Sequence, residues 1–461
     1  MAAAEHFPDE SYRARVAAEK GIYEDCVKVH DLPQIFHYWS NKYIRPKLEA
    51  FGFSTPNDMF KKYLLEQAQR RPQGVLRFAS IGAGNCDLEV ALASHLRTQG
   101  ISGFVIDCLE LNPTMLERGR AAAAGGGVEE HIHVVEADFN QWTPAHEYDA
   151  VLANQALHHV LNLEGLFGQI KSCLKPHGSF IISDIIGRNG HLRWPEALDI
   201  VHEFWRKLPP SYRFNPVLNR YEELYENWDC SQESFEGIRS QDILPLLLAD
   251  FHFRLFVGFA NVIDPFTDRA FGHNFDVKAA WDRAFIDQVH ARDEQEMIAG
   301  HIKPTHMVAV VGNDLDAPTQ FHEPLGPEFC VRSTYDSEPA AGTQMQKNAY
   351  EWHSWPHSPQ DELEIACRRL RAAEDRIQQR TEVAKELTKE LEERTAWALR
   401  LDKELEERTA WALRLDKELA QQTAWAQELN GELERLAWAR KLYRFARKVY
   451  RSVRPRHSPE S

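Results

Sequence analysis

The sequence contains no run of about 18 consecutive apolar residues, the length that a helix needs to cross a membrane. Its first residues also lack the order of basic and then apolar residues that marks a secretory signal. The seven cysteines are scattered and include no C-x-x-C pair, which argues for a reducing compartment and against a structural zinc site. We therefore expect a cytoplasmic chain, and we predict no metal site.

Positive charge is also scarce over most of the chain. Lys and Arg number 54 against 69 Asp and Glu, which gives a formal net charge of -15. The length of 461 residues suggests two or three domains, and the composition is that of an acidic, mostly globular protein.

Two glycines follow the first apolar run that has the composition of a buried strand. Residues 75–81 form this run, Gly82 and Gly84 follow it, and residues 88–96 have the pattern of an amphipathic helix. A strand that meets a helix N-terminus through glycines exposes backbone N–H groups, and only glycine lets a ligand come this close to the main chain. In a parallel α/β sheet, a nucleotide-like cofactor binds at this loop.

The spacing of this loop weakens a dinucleotide interpretation. That fingerprint needs a third glycine three residues after the second, and Asp87 holds this position. A tight turn without a ligand is the alternative interpretation of the glycine pair.

Acidic residues stand at the ends of the next two predicted strands. Residues 103–110 end in Glu110, which can accept hydrogen bonds from both ribose hydroxyls of an adenosine; a solvated strand-end charge is the alternative. Residues 131–138 end in Asp138, which can accept from the adenine amine while Phe139 packs on the ring. Helical stretches between the strands predict a parallel order. Further strands are predicted at 148–154, 178–184, 253–259 and 305–311.

Six short motifs occur in order: the glycine loop, Glu110, Ala137-Asp138, and the segments 148–153, 157–160 and 174–178. Together they resemble the class I S-adenosylmethionine-dependent methyltransferases, over residues 75–185 and more loosely over 186–313. The resemblance implies an α/β, Rossmann-like domain with a mostly parallel seven-stranded sheet and S-adenosyl-L-methionine as cofactor. Ser80 and Cys86 depart from the family's first motif, which usually has an acidic residue and a glycine there. The implied cofactor-binding residues are Ser80, Gly82, Ala83, Gly84, Glu110, Leu111, Asp138, Phe139 and Asn154.

Two histidines follow the fourth strand, where the resemblance places the acceptor pocket. Methyl transfer is an in-line attack on a sulfonium methyl, so positioning and desolvation are the main tasks of the enzyme. An alcohol acceptor must also lose its proton, and histidine is the side chain best suited to accept it near neutral pH. We predict His158 and His159 as catalytic pocket residues, with packing or helix capping as the alternative.

Two further segments are expected to cover the cleft. Residues 1–72 predict an N-terminal helical cap, in which Tyr38, Trp39 and Tyr43 either line the cleft or pack in a helical core. An insertion at about 186–250 is rich in Trp, Arg and His and predicts a helical lid. Its side chains suit a sugar or phosphate-bearing acceptor, although an ordinary helical cap explains them equally well.

The composition changes after residue 313, where we expect the methyltransferase domain of residues 73–313 to end. Six prolines interrupt residues 314–360, which predicts a linker. Residues 361–434 contain no proline, and Glu390 to Lys403 repeats unchanged in the next fourteen residues. This pattern predicts a coiled coil and a homo-oligomer, with a single solvated helix as the alternative. The a positions are Leu391, Ala398, Leu405, Ala412, Leu419, Ala426 and Leu433; the d positions are Arg394, Leu401, Arg408, Leu415, Gln422, Leu429 and Leu436.

The last segment, residues 435–461, reverses the charge of the chain, and no acidic residue occurs between Arg435 and Arg456. Trp438, Leu442 and Phe445 fall on one face of a predicted helix. A basic amphipathic helix is typical of binding to a membrane surface. Nucleic acid is a second target for such charge, but the aromatic and aliphatic face favours lipid, so we expect no nucleic-acid partner. A solvated helix end is the alternative.

The whole layout is similar to bacterial methyltransferases of surface-polysaccharide clusters. That resemblance implies O-methylation of a sugar on a lipid-linked or cell-surface glycan, a peripheral position on the inner face of the cytoplasmic membrane, and a glycosyltransferase as candidate partner. The alternatives are a methyltransferase for a small molecule or a protein, and a coiled-coil scaffold whose methyltransferase head is only weakly active.

Overall fold

The computed structural model describes residues 10–24, 32–70, 74–232, 234–314, 318–332 and 359–453. The chain divides into two compact units, Met1–Gln346 and Lys347–Ser461. The first unit holds the strands β1 (Leu76–Ile81), β2 (Phe104–Glu110), β3 (Ile132–Glu136), β4 (Tyr148–Asn154), β5 (Leu174–Ile185), β6 (Phe214–Asn215), β7 (Arg220–Tyr221), β8 (His252–Phe259) and β9 (His306–Gly312). Its helices are α1 (Glu10–Glu24), α2 (Gln34–Trp39), α3 (Arg45–Glu49), α4 (Pro56–Arg70), α5 (Asp87–Thr98), α6 (Pro113–Gly125), α7 (Leu163–Cys173), α8 (Pro195–Trp205), α9 (Ser240–Asp250), α10 (Asp264–Thr267), α11 (Ala280–Ile298) and α12 (Pro327–Cys330).

Seven strands form one sheet in the order β3-β2-β1-β4-β5-β9-β8. The first five strands are parallel, and β9 pairs antiparallel with both β5 and β8. This confirms the predicted Rossmann-like class I methyltransferase fold with a mostly parallel seven-stranded sheet. β1 is almost entirely buried, as expected for a central strand with helices on both faces.

The strand order reverses at β1, whose neighbours are β2 on one side and β4 on the other. Ile81, at the end of β1, pairs in register with Leu109 of β2 and with Ala153 of β4. The loops that leave these strands therefore meet at one edge of the sheet, and such a switch point is where open α/β sheets bind their ligands.

The predicted N-terminal cap is helical in its described part, but Tyr38, Trp39 and Tyr43 do not line the cavity at the sheet edge. Tyr38 and Tyr43 donate hydrogen bonds to Asp287 of α11 (2.9 and 2.7 Å), and the indole of Trp39 donates to His290 (3.3 Å). Trp39 is 2 % exposed. Packing in a helical core, the second interpretation of these residues, is the one the structure supports.

The insertion after β5 contains α8, the short β6–β7 hairpin and α9. Residues 318–332, which we assigned to the start of the linker, instead pack on the first unit. Gln320 bridges to β8, and Arg332 pairs with Glu196 of α8 (3.0 Å). The rest of the predicted linker before Pro359, residues 333–358, lies outside the described residues.

The second unit is described by one helix, α13 (Pro359–Val453). It covers the predicted coiled coil and runs on through most of the basic segment; residues 454–461 lie outside the described range. The leucines and tryptophans described on it are exposed within a single chain, Leu405 and Leu419 at 63 % each. Among the described residues, no helix has both the length and the apolar character needed to cross a membrane.

Candidate active site

A cavity of about 170 Å³ lies at the carboxyl ends of β1, β2 and β4. Its lining includes eight of the nine residues predicted to bind the cofactor, all but Ser80. These eight are Gly82, Ala83, Gly84, Glu110, Leu111, Asp138, Phe139 and Asn154. The structure therefore brings the predicted set together, while the role of each residue as a cofactor contact stays a prediction.

The glycine loop has a backbone that a side chain would not fit. Gly82 and Gly84 have φ of +65° and +55°, in the left-handed region. A Cβ on Gly82 would lie 2.6 Å from the Cβ of Ala156. Cys86, where the family often has a third glycine, also has a left-handed φ of +59° and immediately precedes α5. The loop thus keeps the glycine-type backbone although the glycine is missing.

Glu110 is held in place by main-chain groups. Its Oε2 accepts from the N–H of Gly84 (3.0 Å) and its Oε1 from the N–H of Asn112 (2.9 Å). Burial raises the pKa of Glu110, and these hydrogen bonds oppose the shift. The carboxylate is therefore oriented between the glycine loop and the start of α6, at the position predicted for ribose recognition.

Asp138 is bound by a residue of the N-terminal helix. The hydroxyl of Tyr12 on α1 lies 2.7 Å from both carboxylate oxygens of Asp138, and the N–H of Asn140 donates to the same carboxylate (3.0 Å). Glu19 and Lys20, on the same helix, line the cavity. α1 therefore covers the side of the cavity that was predicted to hold adenine.

Ser80, the ninth predicted cofactor residue, does not line the cavity. Its hydroxyl donates to Oε1 of Glu89 (2.5 Å), and both side chains are almost fully buried. Burial raises the pKa of Glu89 to about 7, although the bond from Ser80 lowers it. Glu89 itself lines the cavity, so at this position α5 supplies a carboxyl in place of the acidic residue that β1 lacks.

The sequence missed several cavity residues. Asn85, Asp87 and Glu89 follow the glycine loop directly, so their polar character next to that loop was a usable signal. Glu19 and Phe235 come from the N-terminal helix and from the insertion, and no local pattern marks either of them.

The two predicted catalytic histidines occupy different positions. His159 lines the cavity, and its Nδ1 lies 2.7 Å from Oε1 of Glu19. His158 is 3 % exposed and does not line it. Its Nδ1 lies 2.7 Å from Oδ1 of Asp184, and Asp184 also accepts from three main-chain N–H groups.

Two acidic groups set the charge of His158. Burial by itself lowers the pKa of this imidazole, but the charges and hydrogen bonds of Asp184 and Glu236 outweigh burial and raise the pKa to about 10. For Glu236, burial raises the pKa, and the bonds from His158 and His191 more than offset it, so that the pKa falls well below its usual value. The insertion thus places a carboxylate against the histidine pair.

These contacts define a Rossmann-like α/β domain with a cofactor site at the switch point of its sheet. A family model described as a methyltransferase domain matches residues 81–182. The chain therefore carries a class I S-adenosylmethionine-dependent methyltransferase domain, with S-adenosyl-L-methionine as its cofactor. The bare glycine backbone, the buried Glu110 and the aromatic Phe139 fit the adenosine part of that cofactor.

Two curated proteins are similar over part of the chain. The sterol 24-C-methyltransferase erg-4 of Neurospora crassa is 36% identical over 100 residues, which are 22% of this chain and 24% of that protein. The fusarielin synthase FSL1 of Gibberella zeae is 24% identical over 221 residues, 44% of this chain and 8% of the synthase. The chain thus spans a quarter or less of these relatives.

Solved structures that are similar include two methyltransferases. One is the O-methyltransferase from a trans-AT PKS multienzyme of Brevibacillus brevis in complex with S-adenosyl-L-homocysteine, at 12% identity and a TM-score of 0.33, covering 62% of this chain and 81% of that chain. The other is an S-adenosylmethionine-dependent methyltransferase from Mesorhizobium loti, at 16% identity and a TM-score of 0.31, covering 53% and 95%.

Proposed function

We propose that this chain transfers the methyl group of S-adenosyl-L-methionine to an oxygen of an acceptor that enters between the glycine loop and the insertion. The observation that carries the proposal is the cavity itself, in which main-chain N–H groups, Glu110 and Asp138 converge at the carboxyl ends of neighbouring strands. The cofactor, when bound, supplies an electrophilic methyl. The protein's part is to hold the acceptor in line and to exclude water.

His159 marks the side from which the acceptor approaches. It lies in the wall of the cavity between Glu19 of α1 and Glu236 of the insertion. An imidazole in this position can hydrogen-bond a hydroxyl of the acceptor. Acceptance of the acceptor's proton by His158 or His159 stays a prediction.

The acceptor we propose is a sugar hydroxyl of a lipid-linked or cell-surface glycan. Its support is the layout, in which a methyltransferase domain precedes a long helix with a basic end. The aromatic residues of the insertion add less support than we expected. Trp205 is fully buried in the core, and the ring of Trp194 is covered by the guanidinium of Arg332 (4.2 Å). Tyr221 and Trp228, exposed at 68 % and 54 %, are the insertion aromatics available for stacking on a sugar.

We also propose that α13 self-associates and that its basic end contacts a membrane surface, with a glycosyltransferase as a further partner. The support is the stripe of exposed leucines along the helix, followed by exposed Trp438, Leu442 and Phe445 among arginines and lysines.

Liposome flotation tests the membrane contact: the full chain should float with anionic vesicles, and a chain lacking residues 435–461 should not. Equal flotation of both removes the membrane contact.

Calorimetry with S-adenosyl-L-homocysteine tests the cofactor site. The wild-type chain should bind one equivalent, and Glu110→Ala should bind at least roughly 10-fold more weakly, since one hydrogen bond to a charged group contributes about 1.5–3 kcal/mol. Glu117→Ala, an exposed residue on α6, is the matched control and should bind like the wild type. No binding by the wild type would refute the enzymatic proposal.

Transfer of labelled methyl tests the acceptor. A lipid-linked glycan fraction and a soluble extract are compared, each with the wild type and with a His158→Ala/His159→Ala variant. Label in the glycan that is lost with this variant, while cofactor affinity persists, supports the proposal. Label found only in small molecules or only in protein would show that the acceptor belongs to that class and is not a glycan. Loss of cofactor affinity in the variant would overturn the role given to the histidines.

A further inference from the structure

We propose that His158, His191 and Glu236 form a binding site for a divalent transition-metal ion such as Zn²⁺. Two imidazoles and one carboxylate are a ligand set that such ions accept with open coordination positions. One nitrogen from each histidine and one carboxylate oxygen lie within 4.8 Å of one another. The site shares His158 with the histidine pair that is predicted to act in methyl transfer, and it was not foreseen in the sequence, which predicted no metal.

One of the two distances from the carboxylate of Glu236 to a histidine nitrogen already matches that around a coordinated ion, and the other is shorter. Nε2 of His158 and Nε2 of His191 lie 3.5 Å and 2.6 Å from Oε1 of Glu236. Ligands at about 2.0–2.2 Å from a tetrahedral ion are separated by roughly 3.3–3.5 Å. A shift of less than about 1 Å by Glu236 would therefore admit the ion.

The surroundings of His158 are those of a preoriented ligand. Asp184 holds its Nδ1 (2.7 Å), which leaves Nε2 directed at Glu236. A carboxylate behind a histidine fixes the tautomer and the orientation of a metal-binding imidazole. Asp184 and Glu236 also bring two negative charges to the cluster, which match the charge of a divalent cation.

Main-chain hydrogen bonds tie together the three loops that carry the ligands. The N–H of Ile238 donates to the carbonyl of His158 (3.1 Å), and the N–H of Gly190 donates to the carbonyl of Gly237 (2.8 Å). Gly190 and Gly237 both have a left-handed φ. A Cβ on Gly190 would also lie only 1.9 Å from Oδ1 of Asp229. The close approach of these loops is therefore built into the backbone.

His191 itself is held in an unfavourable conformation. Its φ is +55°, and a non-glycine residue in this region costs of order 1–3 kcal/mol. Residues held in this way cluster at active sites and ligand clamps. This residue places the Nε2 of its imidazole 2.6 Å from Oε1 of Glu236.

The ion would lie beside the cofactor cavity. His159, which lines that cavity, has its Nε2 3.5 Å from Oε2 of Glu236. The alternative is a metal-free cluster in which the imidazoles hydrogen-bond Glu236 directly. The two interpretations differ in one measurable property, the affinity for the metal itself.

The test is calorimetric titration of the full-length, chelator-treated chain with Zn²⁺, with Co²⁺ absorption as a second readout of coordination. The wild type should bind one ion with a visible Co²⁺ spectrum of low symmetry. His191→Ala and Glu236→Gln should weaken Zn²⁺ binding at least roughly 100-fold, and Asp184→Asn roughly 10–100-fold, the usual effect of losing the group behind a ligand.

The matched control is His301→Ala. His301 also pairs with a glutamate, Glu296 (2.7 Å), but among the described residues it belongs to no group of three candidate ligands, so its loss should leave Zn²⁺ affinity unchanged. Circular dichroism and S-adenosyl-L-homocysteine binding check that each variant is folded, and Glu236→Gln tests the site should His191→Ala fail to fold. Absence of Zn²⁺ binding by the wild type overturns the proposal, as does equal affinity in wild type, His191→Ala and Glu236→Gln.

Discussion

Ser80 and Glu89 form a buried hydrogen-bonded pair next to the cofactor loop. The sequence has a serine where the resembling family has an acidic residue on the first strand, and the serine hydroxyl holds the carboxyl of Glu89, which comes from α5. Glu89 is 2 % exposed, and burial disfavours the charged form of its carboxyl group. This single residue gives the domain a pH dependence that can be measured.

We predict that Glu89→Gln removes part of the loss of stability between pH 5 and pH 8. Burial raises the pKa of Glu89 to about 7 from 4.5, so its contribution to stability is fully present below pH 4.5 and is lost as the pH rises through 7. Glutamine cannot ionise, so relative to wild type the variant should gain about 3 kcal/mol from low to high pH.

Urea unfolding followed at pH 5 and pH 8 measures this difference. Asp268 and Asp293, whose pKa values burial also raises to about 7, titrate in both proteins, so the comparison isolates Glu89. Glu117→Gln, on the exposed face of α6, should unfold like the wild type at both pH values. Parallel pH profiles for wild type and Glu89→Gln would contradict the prediction.

At the scale of elements, α1 closes the cavity through a few polar contacts. Tyr12 reaches Asp138, and Arg15 donates to main-chain carbonyls of the insertion at Ser231 and Ser234 (2.7 and 2.6 Å). The helix thus joins the cofactor loops to the insertion.

Tyr12→Phe should loosen α1. A hydrogen bond to a charged group contributes about 1.5–3 kcal/mol, so amide exchange in residues 10–24 should become roughly 10–100-fold faster. Tyr38→Phe also loses a hydroxyl that donates to a carboxylate, Asp287, but on another face of the domain, and should leave α1 protected. Unchanged exchange in Tyr12→Phe would show that α1 is held by other contacts.

Helix α6 packs closely on the cofactor loop, and this contact explains a glycine in its interior. A Cβ on Gly119 would lie 2.6 Å from Sγ of Cys86. We predict that Gly119→Ala destabilises the domain by up to about 2 kcal/mol, because overpacking costs about 1–3 kcal/mol and the helix-propensity gain offsets about 1 kcal/mol of that cost.

Gly168→Ala on α7 is the matched control for this prediction. Nothing lies within 4 Å of its added Cβ, so the substitution should stabilise the domain by about 0.5–1 kcal/mol. Denaturant unfolding compares the two variants. A stabilised Gly119→Ala would show that Cys86 moves aside at little cost.

At the scale of the whole molecule, the apolar seam of α13 is exposed in the single chain, and we predict that it holds copies of the chain together. Leu415, at a d position, should be buried on association, whereas Leu413 lies at b, outside the seam. Leu415→Lys should raise the dissociation constant roughly 100-fold or more, because a buried leucine contributes about 1.5–3 kcal/mol in each chain.

Analytical ultracentrifugation of the full chain measures this effect, with Leu413→Lys as the control. Both substitutions replace a leucine by a lysine, and they differ in the face of the helix on which they lie. Both leucines are exposed in the single chain, Leu413 at 66 % and Leu415 at 42 %. A monomeric wild type would leave α13 a solvated helix, and equal effects of both substitutions would place the interface elsewhere.

The sequence by itself determined the sheet and the cofactor cradle. Both rest on local signals: apolar runs of strand length, a glycine turn before a helix, and acidic residues where strands end. The carboxyl ends of parallel strands must meet at one edge, so Gly82, Glu110 and Asp138 could be brought together without coordinates. The helical structure of α13 was likewise predictable from the fourteen-residue repeat.

Only the tertiary structure decided what closes this cradle. Tyr12 on Asp138, Glu19 at His159, and the carboxylate of Glu236 against the histidines are contacts between segments far apart along the chain. Tyr38, Trp39 and Tyr43 likewise contact α11, which lies far from them along the chain. Periodicity specifies which face of an element is apolar, but the partner that covers it is fixed only when the elements pack, and here that packing created the histidine–carboxylate cluster.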